Sequence, residues 1–510
     1  MGGNKVSIYS VAVNIHDHNS YDGVFHNQIE RHTRYKHNLN PDDSHDPAFS
    51  REFFRTHFAP QFLQQKDTDT FCFTCSNLGQ QFVRDLLEDT VGNTDFLKFR
   101  PRRLWNRYQT NSYYYIDHHQ SHAAYAFLTS GFADSDILAI DGRGWQFNCV
   151  FVDSNSNIID LSQELSIGGL WNRLAQDIGL GYLGAGKVMG LAGYGQLDET
   201  VAEVIDDYLK TPNHRLSDNA NQIIQQTARE DVAYTLQHAT EKLIKKHVFP
   251  LKSSDNICVA GGVAYNGYVN ELFTKHYKRV HVPPAVGDEG QALGAYMHAD
   301  YVLNGNVHVP SVDAGQTHTL DTSLLREVHW EHKSFAEICA ETAQAIADGA
   351  IVGWFQGKSE SGNRALGNRS ILADPRNPDI KDTINRTVKK REDFRPFAPA
   401  VLQEHYAEYF DTNQASPNMS RIVPVKSQEI PGVTHVDGTA RIQTVDKQHN
   451  ARFYQIIQEF YTLTGIPMLL NTSFNCQEPI VETPEQAYNT FKNTGIDLLV
   501  INDYIIRKNA

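Results

Sequence analysis

Two histidines four residues apart, His118 and His122, are the first side chains here whose type and spacing suggest chemistry. On a helix such a pair shares one face, with Cβ atoms about 5–6 Å apart, and two imidazoles placed so can share one metal ion. Segment 117–124, which carries them, follows an aromatic run at 113–116 that reads as a strand. It leads into an Ala-rich run that reads as a helix. Asp141 ends an apolar strand pattern, 137–140, at a glycine turn, and Asp288 lies in a second turn, 287–290. Two imidazoles and two carboxylates make a hard, mixed N/O donor set. It suits iron or another divalent ion better than a structural zinc.

A second group of residues is cationic. The stretches 357–372, 389–399, 435–441 and 467–475 bring arginines, a lysine, an amide and a serine hydroxyl to glycine and proline turns at strand ends. A small phosphate or carboxylate site requires those groups, and ligands collect at such turns. Repeated glycines around Lys187, in 179–195, permit close backbone approach to a nucleotide. No GK[ST] is present, so this is not a Walker A loop. The buried-strand pattern 256–260 runs into Gly261 and Gly262, and the helix that follows would present its amides to an anion. Strand, glycine turn and helix recurring around an acid look like an actin-type nucleotide-binding fold.

These elements need room, and 510 residues predict two or more domains. No run of about 18 apolar residues is present, so no membrane span is expected. The first residues lack an apolar signal core, and Val6 breaks the myristoylation pattern. Cys72 and Cys75 form a lone CxxC, read as free thiols in a reducing cytoplasm. A net charge of −14 argues against a protein coated for nonspecific nucleic-acid binding. Two local basic and aromatic stretches stand out, 28–37 and 98–107. The second could hold a phosphate backbone and stack on bases, although a plain surface loop is the simpler reading. Residues 5–14 read as a first strand entering a hairpin, 40–95 as mostly helical, 198–250 as surface helices and 299–333 as a linker. A helix at 335–348 and a strand at 350–355 open the second domain.

With these stretches in order, the chain resembles the NodU/CmcH/TobZ-type O-carbamoyltransferases over nearly its whole length. The matching signatures are His16-Asp17, His118-His119-x-x-His122-Ala123, Asp141-Gly142, Lys187-Val188-Met189-Gly190-Leu191-Ala192-x-Tyr194-Gly195, Gly261-Gly262-Val263-Ala264-x-Asn266 and Gly287-Asp288-x-Gly290. They continue with Arg364-Ala365-Leu366-Gly367-x-Arg369-Ser370, Phe394-Arg395-Pro396-Phe397-Ala398-Pro399 and Asn471-Thr472-Ser473-Phe474-Asn475. Asn363 replaces the proline usual before Arg364, which implies a local loop change.

The resemblance implies an α/β fold: an actin-like (ASKHA, TsaD-like) part over 1–320, then a YrdC-like part over 334–510. It implies that the second part makes carbamoyl adenylate from carbamoyl phosphate and ATP, and that the first passes the carbamoyl group to an acceptor hydroxyl. Lys389, Arg395, Arg441 and Ser473 would hold carbamoyl phosphate, with Arg364, Arg369 and Asn471 nearby. Lys187, Gly190, Gly261, Gly262, Asn266, Asp141 and Gly142 would contact ATP, with Mg, or the adenylate. His118, His122, Asp141 and Asp288 would hold a divalent metal, Fe(II) by expectation, and His16 would be the general base. The acceptor is a natural product or sugar, or 5-hydroxymethylcytosine in DNA. A homodimer is the assembly to test, and no membrane partner is expected. Two alternatives stand beside this reading: a tRNA threonylcarbamoyladenosine-type enzyme, and a non-enzymatic ATP-binding regulator.

Overall fold

Short apolar runs build the sheets, and the central ones are buried on both faces. The computed structural model describes the strands at 8–13, 23–25, 28–30, 70–75, 106–108 and 111–115. It then describes residues 116–508 except 143–146, 182–183, 212–214, 306–312, 314, 316 and 327. The described chain divides into two compact units. One comprises Met1–Gly168, Leu251–Ala264 and His281–Gly315, and the other Gly169–Pro250, Tyr265–Val280 and Gln316–Ala510.

In the first unit, β1 (Ile8–Val13), β2 (Gly23–Phe25), β3 (Gln28–Glu30), β4 (Thr70–Cys75), β5 (Asn106–Tyr108) and β6 (Asn111–Tyr115) form one sheet in the order β3-β2-β1-β4-β6-β5. β1, β4 and β6 run parallel, and β1 turns back into β2 as the expected hairpin. β4 lies inside the stretch 40–95 read as mostly helical, its aromatics and threonines fitting a pleated strand; the rest of that stretch lies outside the described residues. In a second sheet, β7 (Asp136–Ile140) lies between a parallel β10 (Asn256–Ala260) and an antiparallel β8 (Cys149–Val152), with β9 (Ile158–Asp160) beyond. The β8–β9 hairpin closes around Asp153, whose Oδ1 accepts from the amides of Asn155 and Asn157. The helices His118–Ser130 and Gln291–Asn304 pack through Tyr125, Leu128, Leu293 and Tyr296. Their approach is close enough that a Cβ at Gly294 would sit 2.1 Å from the Ser121 carbonyl oxygen, so only glycine fits.

β11 (Arg279–His281) comes where the division between the units falls. The second unit carries a nine-stranded sheet. Its strands are β12 (His329–His332), β13 (Val352–Phe355), β14 (Arg369–Ala373), β15 (Ala398–Leu402), β16 (Arg421–Pro424), β17 (Thr439–Val445), β18 (Met468–Ser473), β19 (Leu498–Ile501) and β20 (Tyr504–Arg507). Their order is β12-β20-β19-β13-β14-β18-β15-β17-β16. β13, β14, β15 and β19 are buried throughout, β14 with Arg369 and Ser370 at its start. Trp354, Phe453, Phe460, Phe474 and Phe491 fill the core. Helix Phe335–Ala347 starts at a Ser334/Glu337 capping box, and Pro484–Asn493 at a Thr483/Gln486 box with proline in its first turn. The linker expected at 299–333 is shorter at both ends: the helix before it runs to Asn304, and β12 pairs with β20. β12 is a mostly exposed four-residue strand, so no apolar alternation announces it. The helices Glu199–Lys210, Asp218–Gln226 and Arg229–His247 occupy the stretch read as helical.

Candidate metal centre and anion site

Asp117 caps the helix His118–Ser130, accepting from the amides of His119 and Gln120, and so sets the helix start. The pair His118 and His122 then projects from one face, both rings buried, with centroids 4.8 Å apart. Asp141 stands at the end of β7. Its Oδ2 lies 2.8 Å from His118 Nε2 and 3.2 Å from His122 Nε2. Its Oδ1 accepts from the amides of Gly142 and Gly262 at 2.6 and 3.2 Å. Gly261 makes that turn possible, with φ +93° and a would-be Cβ 2.2 Å from the Ile140 carbonyl oxygen. Asp288 comes from the turn before helix Gln291–Asn304, its Oδ1 3.3 and 3.4 Å from the same two imidazole nitrogens. Gln291 ties that turn back by donating to the His118 carbonyl at 3.1 Å.

One donor atom from each of His118, His122, Asp141 and Asp288 lies within 4.8 Å of the others. The donors fit a divalent ion: two carboxylates balance its charge, and both imidazoles present Nε2. Burial pulls the His122 pKa down, but hydrogen bonds to Asp141 and Asp288 outweigh that and raise it to about 9. The same imidazoles hold the buried Asp141 well below the usual carboxylate range. A metal entering here displaces protons, so its affinity rises with pH.

In the second unit a group of cations forms on one face of the nine-stranded sheet and its loops. Lys389 is 2% exposed and closes a π-turn, Asn385–Lys389; Lys390 follows with φ +46°. Its Nζ donates to the Ser473 carbonyl, to Ser473 Oγ at 3.1 Å and to Asn475 Oδ1 at 2.8 Å, all neutral acceptors. Burial, with Arg391 and Arg395 nearby, holds its pKa well below that of an ordinary lysine. Arg441 is half-buried beside Arg364 and Arg395, and desolvation with their charges pushes its pKa well down. Its one hydrogen-bond partner among the described residues is Met189 Sδ, at 3.7 Å. Arg391 is lowered to about 9 by burial and by Arg395. Arg364 stands over the Tyr265 ring, 5.4 Å from its centroid. Glu392 is the acid at hand: it pairs with Lys187 at 2.8 Å and approaches Arg395 at 3.7 Å. A buried lysine among half-buried arginines that repel one another, bonded mainly to neutral groups, calls for an anion.

The other expected residues divide by what they touch. Arg369 donates to the backbone carbonyls of Gln356, Asn368, Gly357 and Glu482 and lies over the Phe355 ring. Asn266 caps helix Gly267–Thr274 and bonds Gln237 through both amide atoms. Asp141, Gly142, Gly261 and Gly262 belong to the first unit, whereas Lys187, Gly190 and Asn266 belong to the second. Gly190 lies against the Pro396 ring. His16 lies outside the described residues, as do 31–37 and 98–105, and the side chains of Cys72 and Cys75. Sequence reasoning missed Glu360. Its buried carboxylate accepts from the amides of Leu366, Asn368 and Arg369 at 2.6, 2.7 and 3.2 Å, folding the loop that carries Arg364. It also missed a hydrogen-bonded series in which Tyr268, on helix Gly267–Thr274, donates to Asp437, which also bonds His435, both just before the strand that carries Arg441. The one available signal was an acid lodged between glycine turns.

Residues 78–297 match the family model described as carbamoyltransferase N-terminus, and residues 343–508 match carbamoyltransferase C-terminus. Nodulation protein NolNO of Sinorhizobium fredii is 37% identical over 77% of this chain, which spans 64% of that protein's length. Nodulation protein NolO of Bradyrhizobium diazoefficiens is 35% identical over 77% of this chain and 79% of its own. The 3'-hydroxymethylcephem-O-carbamoyltransferase of Amycolatopsis lactamdurans is 30% identical over 62% of this chain and 64% of its own.

Proposed function

The chain belongs to the carbamoyltransferase family, and on that premise we propose that it is an ATP-dependent O-carbamoyltransferase fed by carbamoyl phosphate. The observation that carries the reading is the group of cations around the buried Lys389 and the half-buried Arg441, bonded mainly to neutral partners. Lys389, Arg395, Arg441 and Ser473 bind the phosphate of carbamoyl phosphate, with Arg364 and Asn471 beside them. Their dipoles and charges are set before the ligand arrives, so little reorganisation is needed as charge shifts. Water then cleaves carbamoyl phosphate to carbamate and inorganic phosphate, and a carbamate oxygen attacks the α-phosphorus of ATP, forming carbamoyl adenylate as pyrophosphate leaves. In this proposal 334–510 is the YrdC-like adenylate-forming part and 1–320 the actin-like, TsaD-like transfer part. Lys187 and Gly190 serve the nucleotide, with Mg on its phosphates. His16 removes the proton of the acceptor hydroxyl as its oxygen attacks the carbamoyl carbon and AMP leaves.

His118, His122, Asp141 and Asp288 hold a divalent ion, proposed to be Fe(II). When bound, the ion supplies Lewis-acid polarisation of the carbamoyl oxygen. Gly262 orients Asp141 for it, and a Cβ there would sit 2.8 Å from Asp141 Oδ1. Gly262→Ala is therefore expected to weaken divalent-metal binding about 10–100-fold, read by chelator competition. Unchanged affinity would remove the turn's part in the site. The acceptor is a hydroxyl on a natural product or sugar, or 5-hydroxymethylcytosine in DNA. Binding to modified DNA that weakens steeply with salt would single out the last.

The reading is tested by pyrophosphate release from ATP with and without carbamoyl phosphate, no acceptor present. Release that depends on carbamoyl phosphate and disappears in Arg395→Ala is the expected result. Release indifferent to carbamoyl phosphate in a folded, metal-loaded preparation, with and without candidate acceptors, would sink it.

A further inference from the structure

His435 is buried, and its two ring nitrogens are treated differently. Nδ1 donates to Asp437 Oδ1 at 3.2 Å. A carboxylate only accepts, so in the neutral ring Nδ1 carries the hydrogen and Nε2 keeps a bare lone pair. That Nε2 is buried and has no hydrogen-bond partner among the described residues. A buried acceptor without a donor is costly and uncommon. Asp437 is itself held in place: Oδ1 also accepts from Thr439 Oγ1 at 2.7 Å, and Oδ2 accepts from the Tyr268 hydroxyl at 2.5 Å. Desolvation works against its charge, but the hydrogen bonds from His435, Tyr268 and Thr439 outweigh it and hold the carboxyl well below its usual range.

Two paths place this imidazole beside Arg441. The first runs along a strand. Thr439 and Arg441 are two apart on β17, so they share a face and are about 6.5–7 Å apart. The His435 amide donates to the Thr439 carbonyl at 2.8 Å. The second runs along a helix. Met189 and Gly193 are four apart on the helical run 185–194, which puts them on one side and about a turn apart. Met189 Sδ lies 3.7 Å from Arg441 Nη2, and a Cβ at Gly193 would sit 2.6 Å from His435 Cε1. Arg441 and His435 therefore lie against the same side of one helical run, and glycine at 193 is what lets the ring approach.

A carboxylate-held imidazole with a free Nε2 is suited to take a proton from a bound nucleophile. Cleavage of carbamoyl phosphate by water needs such a group, because water is a weak nucleophile and must lose a proton as it attacks. The cations cannot serve as the base while their charges hold the phosphate. On the reading that these cations bind carbamoyl phosphate, we propose that His435 is the general base for its cleavage by water, with Asp437 positioning the ring. Nε2 takes one proton from water as the water oxygen bonds to the carbamoyl carbon. The bond from that carbon to the phosphate oxygen then breaks, and the imidazolium returns the proton to the departing phosphate. The carbamic acid formed gives its O–H proton to the phosphate, so the products are carbamate and dihydrogen phosphate.

Carbamate supplied directly bypasses this step. Phosphate and pyrophosphate release are measured on the full, metal-loaded chain with ATP and either carbamoyl phosphate or ammonium carbamate. The wild type is expected to release pyrophosphate with both. His435→Ala is expected to lose phosphate release from carbamoyl phosphate by about 10²–10⁴-fold, and to keep pyrophosphate release with carbamate, which also shows that it is folded. His435→Gln retains a donor for Asp437 but has no base. It is expected to behave alike, and it decides if the alanine variant does not fold. Phosphate release that survives in a folded variant overturns the proposal, and so does loss of the carbamate reaction in a variant whose thermal melt is unchanged. A wild type that uses carbamoyl phosphate but not carbamate overturns it as well. A wild type that releases pyrophosphate with neither overturns the carbamoyl-phosphate reading itself.

Discussion

Lys389→Ala is expected to cut carbamoyl-phosphate-dependent pyrophosphate release by about 10²–10³-fold, the loss typical of one preorganised donor in a closed site. Its ammonium is buried among the Ser473 and Asn475 oxygens with no carboxylate in contact, so its charge is available to an anion. Lys389→Arg is expected to fail as well, because a planar fork cannot make three bonds to acceptors spaced for a compact ammonium. The pH dependence has a defined sign. The lysine's pKa is depressed in the folded chain, from 10.5. Below the depressed value the folded chain carries the full cost of the buried charge. Across the window up to 10.5 the unfolded chain binds more protons than the folded one, so stability climbs with pH. Thermal melts should show that climb without ligand. Added phosphate, which favours the charged form, should flatten it, and the Lys389→Ala melt should show a smaller climb. A variant with full activity and an unchanged slope would take Lys389 out of the site.

Arg369→Met should act on stability. The guanidinium is wholly buried, and four carbonyls each lose one donor when it goes, although the Asn368 carbonyl keeps the Gln356 amide. Charge-assisted bonds of this kind contribute about 1.5–3 kcal/mol each. A net loss of about 3 kcal/mol or more is expected, which lowers Tm by roughly 3 °C or more. Inorganic phosphate should still bind the folded fraction below the new midpoint. The opposite pattern, an unchanged Tm with phosphate affinity lost, would make Arg369 a ligand-binding side chain, the part its place in the signature suggests. The contacts favour the structural part because each donates to backbone carbonyls.

The two sites differ in how much of them could be read from the sequence. His118 and His122 were legible because helical spacing alone puts them on one face, and Asp141 because it ends a strand at a glycine. The role of Gly262 was not legible. Nothing local says that a turn 121 residues later donates to the Asp141 carboxylate. The cationic residue types were legible at their turns, but residue type did not separate Arg369, whose two terminal nitrogens bond four backbone carbonyls, from Arg441, whose partner is Met189 Sδ. Burial and partners make that distinction, and both are tertiary. Glu360 was missed for the same reason: three amides converge on it only once the loop has closed. β4 and β12 escaped because a strand of four to six residues gives too short a period to outweigh its neighbours. The joining of 169–250 and 265–280 to the C-terminal residues leaves no mark in composition at all.

That joining has a consequence for synthesis. Lys187 and Met189 leave the ribosome long before Glu392 and Arg441, their partners in the finished molecule. At about 5–20 residues per second, translation from Val280 to Arg507 takes roughly ten seconds or more. Through that interval the apolar faces of helices Glu199–Lys210 and Arg229–His247 are made while the sheet of their unit is still missing strands. Chains stalled or cut in this interval are candidates for chaperone capture, and a fragment beginning at residue 334 would lack Lys187, Met189, Tyr265 and Tyr268.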